Sequence, residues 1–376
     1  MKLQTQCADR GVVDVPVRAL EEERAAVQHL LQAAVQLEHA TIPPYLTALY
    51  SLKPEAPWQV PEVFRSVVVE EMLHLVLAAN VLNAIGGSPV TCAPGFIPDY
   101  PSPLPYGIDG IQVSLLGFSQ KAVEQGLAIE RAKSIDPERV WQAAAALHAA
   151  RGPIVPAGLT IGEFYALILS KLRAMTQVYG EQAVFCGDPA RQVGPDTFYY
   201  EGGGNAVTVT DFESARRALS VIRHQGEGAD NSIWTDPRGE LHGFPEVAHY
   251  FRFNQLKLGR LYVEGDTVTS GPTGPAIEVP WDAAWNVAVD AKVAMYPEGS
   301  EVRAHAERFN RAYTSFLELI QRALNGEPGL LLRAVPQMFV LKERMLQLIR
   351  NPFPGQKGVY AAPTFEFAPR EPNSAE

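Results

Sequence analysis

Apolar positions along the chain fall into helical stripes separated by stretches rich in proline and glycine. From Val17 to Ala40 the residues Leu20, Val27, Leu30, Leu31, Ala34 and Leu37 recur at helical spacing, and Pro43 and Pro44 are expected to kink or end this first helix. A second helix, the most apolar element, is predicted from Glu62 to about Asn83, closed by Gly86, Gly87 and Pro89. Residues 91–117 carry five prolines among scattered aromatic and Ile residues, which predicts a packed Ω-type loop that walls a pocket. Asp136 as N-cap with Pro137 behind it starts a helix to about Ala150, and another runs from Thr160 to about Val178. Residues 181–210 read as loop, Asp211 caps a helix ending near Gly226, and one more spans Glu246 to Leu258. Alternating Leu261, Val263 and Val268 suggest a small β hairpin within 259–279. Two amphipathic helices follow, Glu301 to Asn325 and Pro328 to Arg350, before a proline-rich tail. The pattern predicts a mainly α fold: a helical bundle with long ordered loops over 17–258, and a C-terminal extension over 259–376 whose two long helices pack on the bundle.

Several polar residues break the apolar stripes. Glu38 follows Ala34 by four residues, Leu31 by seven and Val27 by eleven, so it projects from the face that the first helix must bury. Glu71 and His74 are three apart and share a face with Phe64, Val67, Val68, Leu75 and Ala78. Burying such groups costs several kcal/mol each unless they are paired, protonated or bound to a cation. Arg24 lies about 20 Å along the helix from Glu38, too far to pair with it. A dinuclear iron or manganese site in a four-helix bundle calls for a Glu from each of two helices and a Glu-x-x-His from each of the other two. Glu38, Glu71 with His74, Glu163, and Glu246 with His249 supply those parts in that order.

Some of these residues have a second reading. Thr160 to Glu163 is also a capping box, in which Glu163 would bond back to the helix start. Glu70 points one position round from Glu71 and reads as a supporting carboxylate, while Arg252, one turn after His249, either holds a ligand carboxylate or makes a surface pair. Tyr45, seven residues after Glu38, reads as a core residue.

Composition narrows the classes. With 376 residues, 47% apolar and 20% charged, the chain has enough material for a sizeable core. The net charge of -10 argues against nucleic acid as a partner. Three widely spaced cysteines, Cys7, Cys92 and Cys186, suggest neither a disulfide framework nor a zinc finger and point to the cytoplasm. The most hydrophobic segment, 67–85, contains Glu70, Glu71 and His74, so neither secretion nor a membrane span is expected.

The strings Leu37 to Tyr45, Glu70 to His74, Gln225-Gly226-Glu227-Gly228, His249 to Phe253, Tyr296 to Ser300 and Gly358 to Phe367 resemble the bacterial ferritin-like family. That family includes the iminophenyl-pyruvate dimer synthase-like segment of violacein and rebeccamycin pathway enzymes. The resemblance covers about Ala19 to Phe367 and implies a ferritin-like four-helix bundle with a dimetal site. It adds weight to Glu38, Glu71, His74, Glu163 and His249, and makes Glu227 a rival of Glu246 for the last carboxylate position. The chain lacks the very long region that precedes this segment in the pathway enzymes, so dimerisation of imino acids is not implied for it.

The expected activity is a non-haem di-iron oxidase or oxygenase that holds two iron ions, or manganese or a mixed pair, and acts with dioxygen on a small-molecule substrate, with a homodimer as the expected assembly. The alternatives are an iron-storage protein and a metal-free helical scaffold whose carboxylates share protons.

Overall fold

In the computed structural model, which describes residues 2–7, 10–150, 154–197, 205–228, 232–235 and 246–369, with side chains from residue 19 onward apart from that of Glu227, the first helix passes straight through its two prolines. This helix, α1 (Val17–Ser51), stays whole because the carbonyl orphaned by a proline finds another donor. Pro44 has no N–H for the Ala40 carbonyl, and the Tyr100 hydroxyl donates to that oxygen at 2.8 Å instead. One turn on, the Thr47 hydroxyl donates to the Pro43 carbonyl at 2.8 Å.

The remaining helices are α2 (Gln59–Ala84), α3 (Gln120–Ile129), α4 (Pro137–Ala149), α5 (Ile161–Tyr179), the short α6 (Glu181–Val184), α7 (Phe212–Glu227), α8 (His249–Leu258), α9 (Glu301–Ala323) and α10 (Leu331–Leu348). Contacts of α1 with α2, α2 with α7, α7 with α5 and α5 with α1 close a ring of four helices. The fold class is therefore mainly α with a four-helix bundle, as expected. Helix α2 is long and apolar enough to cross a membrane, but 94% of its most apolar stretch is buried, which makes it a core helix of this ring.

Helices α3 and α8 pack on each other beside the ring. Ser119 caps α3 by accepting from the Ala122 N–H, and Gly126 lets Phe253 of α8 approach so closely that a Cβ there would stand 2.9 Å from its ring. Helices α9 and α10 pack together and share one hydrophobic core with α1 and α2. Tyr313 of α9 meets the His39 ring of α1 at 2.7 Å.

Regular strands are few. β1 (Lys2–Cys7) and β2 (Arg10–Pro16) form an antiparallel pair, and the two-residue β3 (Ser102–Pro103) and β4 (Gln112–Val113) another inside the 91–117 loop. The hairpin expected within 259–279 is a loop joined by one bridge, Arg260 to Ala276, with Leu261 N–H on the Pro275 carbonyl at 3.0 Å. Pro272 and Pro275 remove the donors that a longer ladder would need.

Candidate metal centre

Four helices bring three carboxylates and two imidazoles to one buried point. Glu38 comes from the middle of α1, Glu71 and His74 from one face of α2, Glu130 from the C-cap of α3, and His249 from the first turn of α8. All five are buried. They form two groups of three, Glu38, Glu71 and His74, and Glu71, Glu130 and His249, with Glu71 common to both.

Each histidine presents Nδ1 to the carboxylates. His74 Nδ1 lies 3.3 Å from Glu38 Oε2 and 3.7 Å from Glu71 Oε1. His249 Nδ1 lies 3.0 Å from Glu71 Oε1 and 3.3 Å from Glu130 Oε2. The two rings are nearly parallel, 5.4 Å between centroids. Nitrogen and oxygen ligands bound at about 2.1 Å to one ion stand about 3.0–3.4 Å apart, so these spacings suit an ion in each group with little rearrangement. The donor set of imidazole nitrogen and carboxylate oxygen suits iron, manganese or zinc.

A second layer of partners holds every one of the five. The Tyr165 hydroxyl donates to Glu38 Oε1, the Thr41 hydroxyl to Glu71 Oε2 at 2.9 Å, and the Tyr45 hydroxyl to Glu130 Oε1 at 2.6 Å. His74 Nε2 lies 2.9 Å from the Gln225 amide oxygen, and His249 Nε2 lies 3.0 Å from Glu70 Oε2. Arg252 donates through Nη1 to the other Glu70 oxygen at 2.6 Å and reaches Glu246 through Nη2 at 3.1 Å.

Without an ion the carboxylates favour the protonated histidines. Burial lowers the affinity of both rings for a proton, yet Glu38 and Glu71 bring His74 up to about 10, and Glu130, Glu70 and Glu71 carry His249 well above its ordinary value. Burial raises Glu38, whereas for Glu71 the two histidines, and for Glu70 Arg252 and His249, outweigh burial and hold the carboxyl low. Burial raises Tyr45 and Tyr165 well above the ordinary phenol range, so both remain donors. His39, next to Glu38, is held neutral by burial, its value lowered to about 3.

Glu38, Glu71, His74 and His249 are thus brought together, and two expected ligands are not. Glu163 sits in the capping box of α5, accepting from the Thr160 N–H at 2.9 Å and from the Asp136 N–H at 3.2 Å, with Arg139 Nη2 at 3.4 Å. Glu246 precedes α8 instead of starting it, because Val247 bridges Trp234 in an extended segment and the helix begins only at His249. The helical projection of Glu246 onto His249 is lost, and its half-exposed carboxylate turns to Arg252. The side chain of Glu227 lies outside the described residues. Glu130 was missed along with α3, although it continues the buried stripe of Val123, Gly126 and Leu127.

A small cavity of about 40 Å³, partly open to solvent, reaches the cluster. Ile129, Ile161 and Ile222 line it on the apolar side, Arg223 on the charged side. The backbone of Gly226 also lines it, and a Cβ there would stand 3.4 Å from Glu130 Oε2.

A family model described as Ferritin-like matches residues 31–258, a span that holds all five clustered side chains. Among solved structures the chain is similar to a ferritin-like protein from Caulobacter vibrioides, with 20% identity and a TM-score of 0.56 over 85% of this chain and 93% of that one. No curated protein matches. With its four-helix ring, its groups of Glu and His that could hold a metal, and a family match over more than half its length, the chain belongs to the ferritin-like family.

Proposed function

We propose that this chain is a dimetal oxidoreductase that holds two iron ions, or manganese or a mixed pair, and uses dioxygen on a small organic substrate. The observation that carries the reading is Glu71, a single buried carboxylate shared by two three-ligand groups. Glu38 and His74 would complete one position and Glu130 and His249 the other. When bound, the ion pair supplies electrons and open coordination positions for dioxygen. Three ligands in each group would leave part of each ion's sphere to water or substrate. Tyr165 and Tyr45 fix the outer carboxylates, and Ile129, Ile161 and Ile222 make the space beside the cluster apolar.

The resemblance of the Leu37 to Tyr45 and Glu70 to His74 strings to the violacein and rebeccamycin segment supports a place in secondary metabolism. The proposal includes a reducing cytoplasmic setting, supported by Cys92 and Cys186, which form no disulfide among the described residues, and a homodimer, supported by exposed Leu332, Phe339 and Val340 along α10.

Metal analysis of protein loaded anaerobically with ferrous iron tests the reading. Two ions per chain are expected, followed by oxygen uptake on exposure to air, and Glu71→Gln abolishes both. Fewer than about one ion per chain, against the usual two of such sites, would overturn it.

A further inference from the structure

The two three-ligand groups are near copies of each other. Each has the shared Glu71, one further Glu fixed by a tyrosine hydroxyl, and one imidazole turned inward through Nδ1. They differ behind the imidazole. His74 Nε2 faces the neutral amide oxygen of Gln225 at 2.9 Å, whereas His249 Nε2 faces the carboxylate of Glu70 at 3.0 Å.

Once Nδ1 binds an ion, Nε2 carries the hydrogen, and the acceptor behind it sets how much electron density the ring gives the metal. A carboxylate acceptor makes the imidazole a stronger ligand than an amide oxygen does. Arg252 does not cancel this effect. It binds the opposite oxygen of Glu70 at 2.6 Å and also reaches Glu246 at 3.1 Å, so one guanidinium is shared between two carboxylates behind His249. Glu70 is fully buried, which strengthens its hydrogen bond to the ring.

We infer that the two ion positions are unequal: Glu70 makes the Glu71, Glu130 and His249 position the tighter one, and Gln225 leaves the Glu38, Glu71 and His74 position the weaker. This inference rests on the dimetal reading above. Glu70 and Gln225 act as positioning residues, through the histidines and without touching an ion. The first equivalent of metal fills the His249 position, and half-loaded protein carries its ion on the α3 and α8 side of the cluster.

Titration of chelator-stripped full-length protein with cobalt(II), followed by calorimetry and by visible absorption, tests it. The wild type takes two ions in two steps that differ at least about tenfold in affinity, the span that a partner behind a metal-bound histidine commands. His249→Ala removes the tight step and keeps the weak one, and His74→Ala does the reverse. Glu70→Gln weakens the tight step by about 10–100-fold towards the weak one, and Gln225→Glu strengthens the weak step. A purely structural role for Glu70 would shift the melting temperature and leave the ratio of the steps intact. Two ions bound with equal affinity, or a tight step lost in His74→Ala, overturns the inference alone. Uptake of less than one ion by the wild type overturns the dimetal reading and this inference together.

Discussion

Glu130 and Glu163 are both buried glutamates in the bundle region, and only their neighbours tell them apart. Glu130 faces His249 and Glu71, while Glu163 accepts one backbone N–H at the start of α5 and another, from Asp136, at the start of α4. Glu163→Gln is therefore expected to keep both ions and to cost about 1 kcal/mol in urea unfolding, the worth of a helix cap. Glu130→Gln is expected to lose the ion of the His249 position. Equal metal loss in the two variants would show that the capping role does not describe Glu163. The sequence leaves this choice open because a capping box and an inward ligand can be written with the same letters at the same spacing. His74 gives the pH dependence. Its value is raised to about 10 in the metal-free fold, so this pairing stabilises the fold fully below about 6.5, the ordinary histidine value, and is lost as pH rises through about 10. Metal uptake must expel that proton, so affinity rises with pH up to about 10, and an indicator dye in weak buffer should register proton release during loading.

At the level of elements, the second position depends on how closely α3 and α8 approach. Gly126 lies four residues before Glu130, and Phe253 four residues after His249, so the contact that admits no side chain at Gly126 also sets the distance between two ligands. Gly126→Ala is expected to push the helices apart at a cost of about 1–3 kcal/mol. It should weaken the His249 position more than the His74 position in the cobalt titration, and an equal effect on both would count against this account. The long helices were legible from periodicity because each buries one stripe: α2 is predicted as 62–83 and is observed as Gln59–Ala84. Helix α3 was not, since ten residues carry too few turns for a stripe to stand out from the proline-rich loop before them. The start of α8 was placed three residues early because the backbone bonds that hold Glu246 and Ala248 extended, to Thr235 and Ile233, come from a distant segment. The passage of α1 through Pro43 and Pro44 was hidden for the same reason, since its remedy, Tyr100, lies in another part of the chain.

For the whole molecule, an ion pair would tie α1, α2, α3 and α8 at one point. Ligand linkage then adds about 2.7 kcal/mol of stability at a free metal concentration 100 times the dissociation constant. Thermal unfolding should shift upward with added metal and return with chelator, and a melting temperature indifferent to both would argue for a metal-free scaffold. The long helices of the ring and four of the five clustered side chains follow from stripes and spacing, whereas Glu130 depends on a contact between distant segments. The order of the ligands along the chain carries a consequence for how the protein matures. His249 is the last of them to be synthesised, and the position it completes has no histidine until residue 249 has left the ribosome. A nascent chain halted before that point could offer at most the Glu38, Glu71 and His74 group, so loading of the full pair would have to wait until residue 249 has emerged.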